Sequence, residues 1–103
     1  MNALLPHEIE QSLAALKHWQ IQPALIRRQY AFRDFPTAMT FVNRVAELAE
    51  KAWHHPDIDI RWNKVVLSFT THEAGGLTRK DFDLAAACDS LAQTLPGPAN
   101  AGT

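Results

Sequence analysis

Two strand-like segments with a short turn between them constrain the fold more than any other feature of this chain. Residues 57–62 alternate strictly between polar and apolar side chains, and residues 65–70 place Val65, Leu67 and Phe69 on one face. Such alternation is typical of a strand with one buried face, because successive side chains point to opposite sides. The pattern predicts a half-buried first strand, a tight turn at Asn63-Lys64 and a second strand that pairs antiparallel to the first.

Three of the five histidines flank this predicted hairpin. His54 and His55 stand just before it in a loop that Pro56 closes, and His72 stands at its far end. The end of an antiparallel hairpin returns beside its start, so three imidazoles could face one pocket. Pro56 also restricts His55 to extended geometry, which ends the helix that precedes the loop.

Three other segments have the apolar spacing of helices that cover a core. The first is predicted over residues 6–17. The second begins after Asp34, a residue type that caps free backbone amides. The third begins after Thr78, with Asp81 three positions on as a variant of the capping box, and ends before Pro96.

Two further strands, over residues 19–22 and 24–32, are predicted between the first and second helices, with Pro23 between them. The order is therefore α-β-β-α-β-β-α. Because the strands arrive in pairs, an antiparallel sheet is expected. The sequence predicts an α+β fold in which a four-stranded antiparallel sheet carries three helices on one face.

The composition is that of one globular domain. The chain has 103 residues, of which 47% are hydrophobic and 20% charged, so we expect a single domain over residues 1–95 and a disordered tail over residues 96–103. The net charge of −1 gives no basic patch for nucleic acid. No long apolar segment suggests a signal peptide or a membrane span, and we expect a cytoplasmic protein.

The residues alone leave two interpretations of the histidines open. Imidazoles exchange protons near neutral pH, so a pair in one pocket can act as acid and base. Alternatively, His54 and His55 only cap the helix end and bind the loop. A metal site is not expected, because consecutive side chains diverge, no recognised metal motif is present and Cys88 is the single cysteine.

Several motifs, taken together, resemble the pterin-4a-carbinolamine dehydratase family. They extend over roughly residues 19–92 and are specific only in combination. In chain order they are Phe32-x-Asp34-Phe35, Ala49-Glu50-Lys51, Glu50-x-x-x-His54-His55-Pro56, Trp62-Asn63-Lys64-Val65, Thr71-His72-Glu73 and Gly76-Leu77-Thr78-x-x-Asp81. The family fold, a four-stranded antiparallel sheet with three helices on one side, agrees with the order predicted above.

The resemblance implies a dehydratase that acts on 4a-hydroxytetrahydrobiopterin. Aromatic amino-acid hydroxylases leave a hydroxyl group on ring carbon 4a, and the family removes it as water to give quinonoid dihydropterin for recycling. The step takes a proton from a ring nitrogen and gives one to the departing hydroxyl group. The resemblance implies that histidines do both, with no metal and no organic cofactor.

The resemblance also implies which residues form the site. The catalytic residues would be His54, His55 and His72. Substrate contacts would come from His54, His55, Pro56, Thr71, His72, Glu73 and Ala74, while Glu50 and Asp81 would orient an imidazole or line the rim. From the residues alone, Trp19 could stack on a flat heterocycle, but packing in the core or contact at the rim is more common for a tryptophan. Trp53 departs from the family pattern, in which a small polar residue is common.

The family resemblance and the predicted sheet both suggest partners. Some members of the family bind transcription factors and stabilise their dimers, so the alternative to an enzyme is a regulatory binding module. The predicted sheet has an uncovered face and free edges, which proteins usually protect. We therefore expect a homodimer or homotetramer, with a pterin as the small-molecule partner and neither nucleic acid nor membrane as a direct partner.

Overall fold

The computed structural model describes residues 2–98, and its elements follow the predicted order. They are the helix α1 (Pro6–Ala14), the strands β1 (Gln20–Ile21) and β2 (Ile26–Ala31), the helix α2 (Phe35–Ala52), the strands β3 (Asp57–Arg61) and β4 (Lys64–Phe69), a 3₁₀ turn (His72–Ala74) and the helix α3 (Arg79–Gln93). No helix in this part of the chain is long and apolar enough to cross a membrane.

The four strands form one antiparallel sheet in the order β1-β2-β4-β3. The central strands β2 and β4 pair along their whole length, whereas β1 pairs with β2 at only two positions, Gln20↔Arg27 and Ile21↔Ile26. β3 pairs with β4 and forms the other edge. The predicted α+β fold, with three helices on a four-stranded antiparallel sheet, is confirmed.

The core lies between the central strands and the helices. Ile26 and Tyr30 of β2 and Val65, Leu67 and Phe69 of β4 are buried there. Burial of a large apolar side chain contributes about 1.5–3 kcal/mol, so this layer dominates the stability of the fold. The longer two helices contribute the buried residues Ala38, Phe41, Val45, Ala49, Phe82, Leu84, Ala85 and Cys88.

The strand β3 differs from the prediction of a half-buried strand. All of its residues are exposed, and Ile58 and Ile60 each keep 37% of their surface. Both isoleucines lie on the helix side of the sheet, because they pair with the buried Leu67 and Val65 of β4. The helices pack over the centre of the sheet and leave this edge uncovered, which alternation alone cannot reveal.

The hairpin turn falls one residue earlier than predicted. Arg61 and Lys64 form the last pair of the ladder, so Trp62 and Asn63 make the turn and Lys64 begins β4. Trp62 adopts a left-handed conformation with φ 54°. Asn63 fixes the turn against the end of β2, because its Nδ2 donates to the carbonyl of Phe32 over 2.8 Å.

The N-terminal elements are shorter than predicted. α1 ends at Ala14, and β1 is reduced to Gln20–Ile21. Between them the chain turns inward, as the backbone N–H of Trp19 donates to the carbonyl of Leu16 over 3.1 Å. Both side chains are buried, so contact with the core ends the helical and strand patterns early. β2 likewise shortens to Ile26–Ala31.

The caps of α2 fix where the helix begins and the direction in which the chain leaves it. Asp34 caps the helix as predicted, because its Oδ1 accepts the backbone N–H of Thr37 over 2.9 Å, and hydrogen bonds from Thr37 lower the pKa of Asp34. At the other end Trp53 takes the left-handed conformation, with φ 52° and ψ 42°. The backbone N–H of His54 then bonds to the carbonyl of Ala49 over 3.1 Å, which turns His54 back towards the core.

The uncovered face of the sheet is mostly polar, although Val66 of β4 also lies on it. The side chains on it include Arg27, Gln29, Asp57, Asp59 and Ser68, and water can solvate all of them. Four of the exposed large apolar residues, Trp53, Ile58, Ile60 and Trp62, belong to β3 and its flanking loops, and Leu5, Ile21 and Phe35 lie elsewhere.

The segment after α3 is described only in part. Residues 99–103 of the predicted tail lie outside the described residues. Within the described part of the tail, the carbonyl of Pro96 accepts the backbone N–H of Arg33 over 3.0 Å. The start of the predicted tail is therefore bonded to the chain just after β2.

Candidate active site

His54 is the buried histidine of the predicted set. Its Nε2 donates to Oδ1 of Asp81 over 2.6 Å, and 8% of the residue is exposed. The ring lies parallel to that of Phe69, with an interplanar angle of 13° and 6.2 Å between the ring centroids. His54 is therefore held on one edge by a carboxylate and on one face by an aromatic ring.

Asp81 is the centre of a buried hydrogen-bond network. Its Oδ2 accepts the Thr71 hydroxyl over 2.8 Å and the Thr78 backbone N–H over 2.9 Å. The two threonine hydroxyls are also 2.8 Å apart. A carboxylate only accepts hydrogen bonds, so Nε2 of His54 carries a proton. The Nδ1 atom of His54 is then the one left for exchange with a ligand.

His55 lies on the surface next to Glu50. The Nε2 atom of His55 is 2.9 Å from Oε1 of Glu50, and the side chains are 56% and 65% exposed. An exposed pair of this kind contributes less than about 1 kcal/mol. The contact sets the direction of the imidazole more than it stabilises the fold.

His72 opens the 3₁₀ turn and is exposed. With Thr70 and the two glycines of the following loop, it lines a cavity of about 320 Å³ against residues 22–25 of the β1–β2 turn. Gly75 has φ 70°, a conformation that glycine adopts without strain. The turn thereby returns the chain to Gly76, whose carbonyl accepts the Thr71 N–H over 3.1 Å.

The three histidines therefore occupy three different settings. In the described part of the chain, the cavity at His72 is not lined by His54 or His55. His54 is connected to it through Asp81 and Thr71, the residue that precedes His72. A single pocket shared by the three imidazoles therefore stays a prediction.

Two other residues of the predicted set are buried. Trp19 is buried, and its Nε1 donates to Asp89 of α3 over 3.0 Å, so it is a core residue and not part of a rim. Thr71 is 2% exposed, and its hydroxyl binds Asp81 instead of facing a ligand. The remaining predicted contact residues, Pro56, Glu73 and Ala74, are half-buried or exposed.

Two parts of this site are not predicted by the sequence. Thr78 was predicted only as a helix cap, yet its hydroxyl also reaches Thr71 over 2.8 Å. Phe69 was predicted only as a core residue, yet it stacks on His54. The placement of a Thr-His pair directly after a buried strand, ahead of a Thr-x-x-Asp cap, is the one signal that could have suggested this network.

No group of three or more His, Cys, Asp or Glu side chains within residues 2–98 is placed to hold a metal ion. Cys88 lies in the core, where burial first and the nearby Asp89 second raise the pKa of its thiol to about 12.

The fold and the site define a small α+β protein with a buried histidine–aspartate pair and a second histidine at a nearby cavity. Comparison with known proteins makes the class specific. The family model for pterin 4 alpha carbinolamine dehydratase matches residues 2–91. The chain belongs to this family.

Curated relatives agree with this assignment. A protein of Acidobacterium capsulatum named "Putative pterin-4-alpha-carbinolamine dehydratase" is 55% identical over 91 residues, which cover 88% of this chain and 99% of the relative. A protein of the same name from Roseiflexus sp. is 57% identical over 84 residues, covering 82% of this chain and 90% of the relative.

Two solved structures share the fold. A transcriptional coactivator/pterin dehydratase from Brucella melitensis superposes with a TM-score of 0.85 at 34% identity, covering 88% of this chain and 99% of the other. A pterin dehydratase-like protein identified as a RuBisCO assembly factor in the alpha-carboxysome gives 0.60 at 24% identity, covering 72% and 86%. The second similarity shows the fold alone.

Proposed function

We propose that this protein is a hydro-lyase that removes water from 4a-hydroxytetrahydrobiopterin. The observation that carries the proposal is the buried His54–Asp81 hydrogen bond of 2.6 Å. Asp81 also binds Thr71, the residue that precedes His72 at the cavity. Family membership supplies the substrate class. The substrate would come from an aromatic amino-acid hydroxylase in the cytoplasm, and the quinonoid product would be reduced and reused.

The proposed chemistry is proton transfer in both directions. Loss of water breaks the bond between carbon 4a and its hydroxyl oxygen, while a ring N–H proton leaves and a double bond forms. A base must take the ring proton and an acid must protonate the departing hydroxyl. Positioned groups of this kind typically contribute about 10²–10⁴-fold each in rate.

The three histidines differ in what they can supply. His54 has a fixed ring and a free Nδ1, which suits a group that must meet the substrate in one orientation. His72 is exposed at a cavity large enough for part of a bicyclic ring. His55 is exposed on Glu50 and is better suited to binding than to the transfer itself. Backbone groups of residues 54–56 and 71–74 would hold the heterocycle.

The direct test is turnover of the carbinolamine, generated in place by a hydroxylase and followed as quinonoid product. We expect clear acceleration over the spontaneous reaction, and about 10²-fold loss in His72→Ala with the fold retained. His7→Ala is the matched control, because His7 is an exposed histidine on α1. Wild-type protein that gives no acceleration would rule out the enzyme.

The His54→Ala variant should also lose activity, but this substitution lowers the stability of the fold as well. The substitution removes a stacked ring and one donor from a buried carboxylate, so we expect a loss of about 1–3 kcal/mol in unfolding free energy. His55→Ala should affect substrate binding more than rate. Circular dichroism and urea unfolding separate these effects from a general loss of structure.

A regulatory binding module is the second candidate function. The observation that favours it is the Brucella melitensis structure, which is described as both coactivator and dehydratase. A binding module would keep its fold and a defined partner complex while showing no turnover. Retention of that complex in His72→Ala, together with loss of turnover, would show that the two functions coexist on different surfaces.

A further inference from the structure

A second and larger cavity lies away from the histidines, along the free side of β2. Its volume is about 830 Å³, and we call it the β2 groove. It is lined by the loop between α1 and β1, by all of β2 from Arg27 onward, and by the last turn of α3 with the segment after it. None of the three predicted catalytic histidines contributes to it.

The backbone of β2 presents unused hydrogen-bonding groups to this groove. In an antiparallel strand the N–H and C=O of one residue point to the same side, and alternate residues share that side. Leu25 exchanges backbone bonds with Gln22 on the β1 side, at 2.9 and 3.2 Å, whereas the N–H of Phe32 points to the β4 side. Counting in twos from Leu25, the N–H and C=O groups of Gln29 and Ala31 point to the β1 side.

No strand of this chain reaches those groups within residues 2–98. β1 ends at the pair Gln20↔Arg27, and the chain before it turns inward. At the other end the N–H of Arg33 is already taken by the carbonyl of Pro96, 3.0 Å away. Between these two contacts lie the five residues 28–32, and the distance from Arg27 to Arg33 is about 20 Å of extended chain. Gln29 and Ala31 lie within this segment, and both are exposed.

The rim of the β2 groove carries unpaired positive charge. Lys17 and Arg27 line it, and neither lies within ion-pair distance of a carboxylate in the described part of the chain. The one acidic lining residue, Asp89, is neutralised by Arg28 over 2.7 Å and accepts the Tyr30 hydroxyl over 2.5 Å. The groove is therefore complementary to an acidic ligand.

We propose that the β2 groove binds an acidic, extended peptide segment of a partner protein, which adds a short strand to β2. Backbone bonds to Gln29 and Ala31 would provide the pairing, and Lys17 and Arg27 would select acidic side chains. The groove lies apart from the histidine site, so the proposal does not depend on the proposed function.

The test is a titration of the protein with the synthetic peptide acetyl-Asp-Val-Glu-Val-Asp-amide, followed by ¹⁵N NMR and amide hydrogen exchange. We expect the amides of Gln29 and Ala31 to shift and to exchange more slowly. The same peptide with N-methylated valines cannot donate hydrogen bonds from its inner backbone. It should therefore not slow the exchange of the Gln29 and Ala31 amides. A peptide with lysine at the acidic positions should bind at least about tenfold more weakly.

Protein variants give an independent check. Lys17→Glu with Arg27→Glu should weaken the acidic peptide about tenfold, with a loss that shrinks at high salt. Lys80→Glu is the matched control, because Lys80 is an exposed lysine of α3 that does not line the groove. Ala31→Pro removes a donor that no strand uses and should abolish binding while leaving the β2–β4 ladder intact.

Two results would overturn the proposal. The first is the absence of any shift at Gln29 and Ala31 at millimolar peptide, or equal binding of the lysine peptide. The second is protection of the same amides in the free protein that rises with protein concentration, since a second copy of the chain would then occupy the groove.

Discussion

The carboxylates of Asp81 and Asp89 are each held by several donors, yet only one of them contacts a histidine. Asp81 binds His54, Thr71 and the Thr78 amide, while Asp89 binds Trp19, Arg28 and Tyr30. The sequence placed Asp81 correctly as a helix cap, because capping is a local pattern. Its bond to His54 joins residues 27 positions apart, and no local pattern contains that information.

Replacement of Asp81 by Asn tests whether this carboxylate positions His54. Asn can donate to the ring nitrogen, so His54 would lose its fixed tautomer, and we expect about 10²-fold lower turnover. ¹⁵N NMR of His54 should show the proton leaving Nε2. Asp89→Asn is the matched control. Both substitutions should reduce the unfolding free energy by about 1–3 kcal/mol, but Asp89→Asn should leave the His54 spectrum and the turnover unchanged.

Cys88 gives a prediction on pH. Burial raises the pKa of its thiol to about 12, so the folded state favours the protonated thiol over the thiolate. The stabilisation is complete below the unfolded pKa of about 8.5 and is lost as the pH rises towards the folded value. We expect slow reaction with a disulfide reagent in the native state and fast reaction in urea. The loss of stability between about pH 8.5 and 10.5 should be smaller in Cys88→Ala.

At the scale of elements, the sequence predicted the existence and order of the helices and strands better than their burial or their end residues. Strong alternation located β3 and β4, and the caps located α2 and α3. The exposure of β3 could not be predicted, because alternation shows that a strand has two faces and not which layer covers them. The early end of α1 depends on Leu16 and Trp19 turning into the core, a tertiary effect that overrides local spacing.

Trp53 is a bulky residue at the left-handed C-cap of α2, where glycine is favoured. The conformation is unfavourable by about 1–2 kcal/mol for a residue with a Cβ atom, and 79% of this side chain is exposed, so little packing is lost on removal. We expect Trp53→Gly to raise the unfolding free energy by about 1 kcal/mol in urea titration. Ala46→Gly, at an exposed position inside the helix, should lower it instead by about the same amount.

At the scale of the whole molecule, one edge of the sheet carries a group of exposed apolar residues. Ile58 and Ile60 of β3 and Trp62 of the following turn are 37%, 37% and 69% exposed. The face of the sheet away from the helices is mostly polar and gives little reason for assembly. The uncovered β3 edge gives a stronger reason, because an unpaired apolar strand is prone to pair with another chain.

We therefore expect a homo-oligomer that pairs through β3. Light scattering at micromolar concentration should give at least about twice the monomer mass of 11.5 kDa. Ile60→Lys should shift the protein towards monomer, since it replaces an exposed apolar side chain of this edge by a charge. Asp59→Lys is the control on the opposite face of the same strand and should leave the mass unchanged. A wild-type monomer that is still active would contradict this expectation.

The Asp81 network also sets the order in which the site can be completed during synthesis. His54 emerges from the ribosome well before Asp81, which follows it by 27 residues at the start of α3. Until that helix has folded, the imidazole has no carboxylate to fix it, even if the helix and hairpin around it have formed. A nascent chain that stops after β4 would carry all the residues of the hairpin and still leave His54 without this carboxylate, so the oriented histidine is one of the last features of the molecule to form.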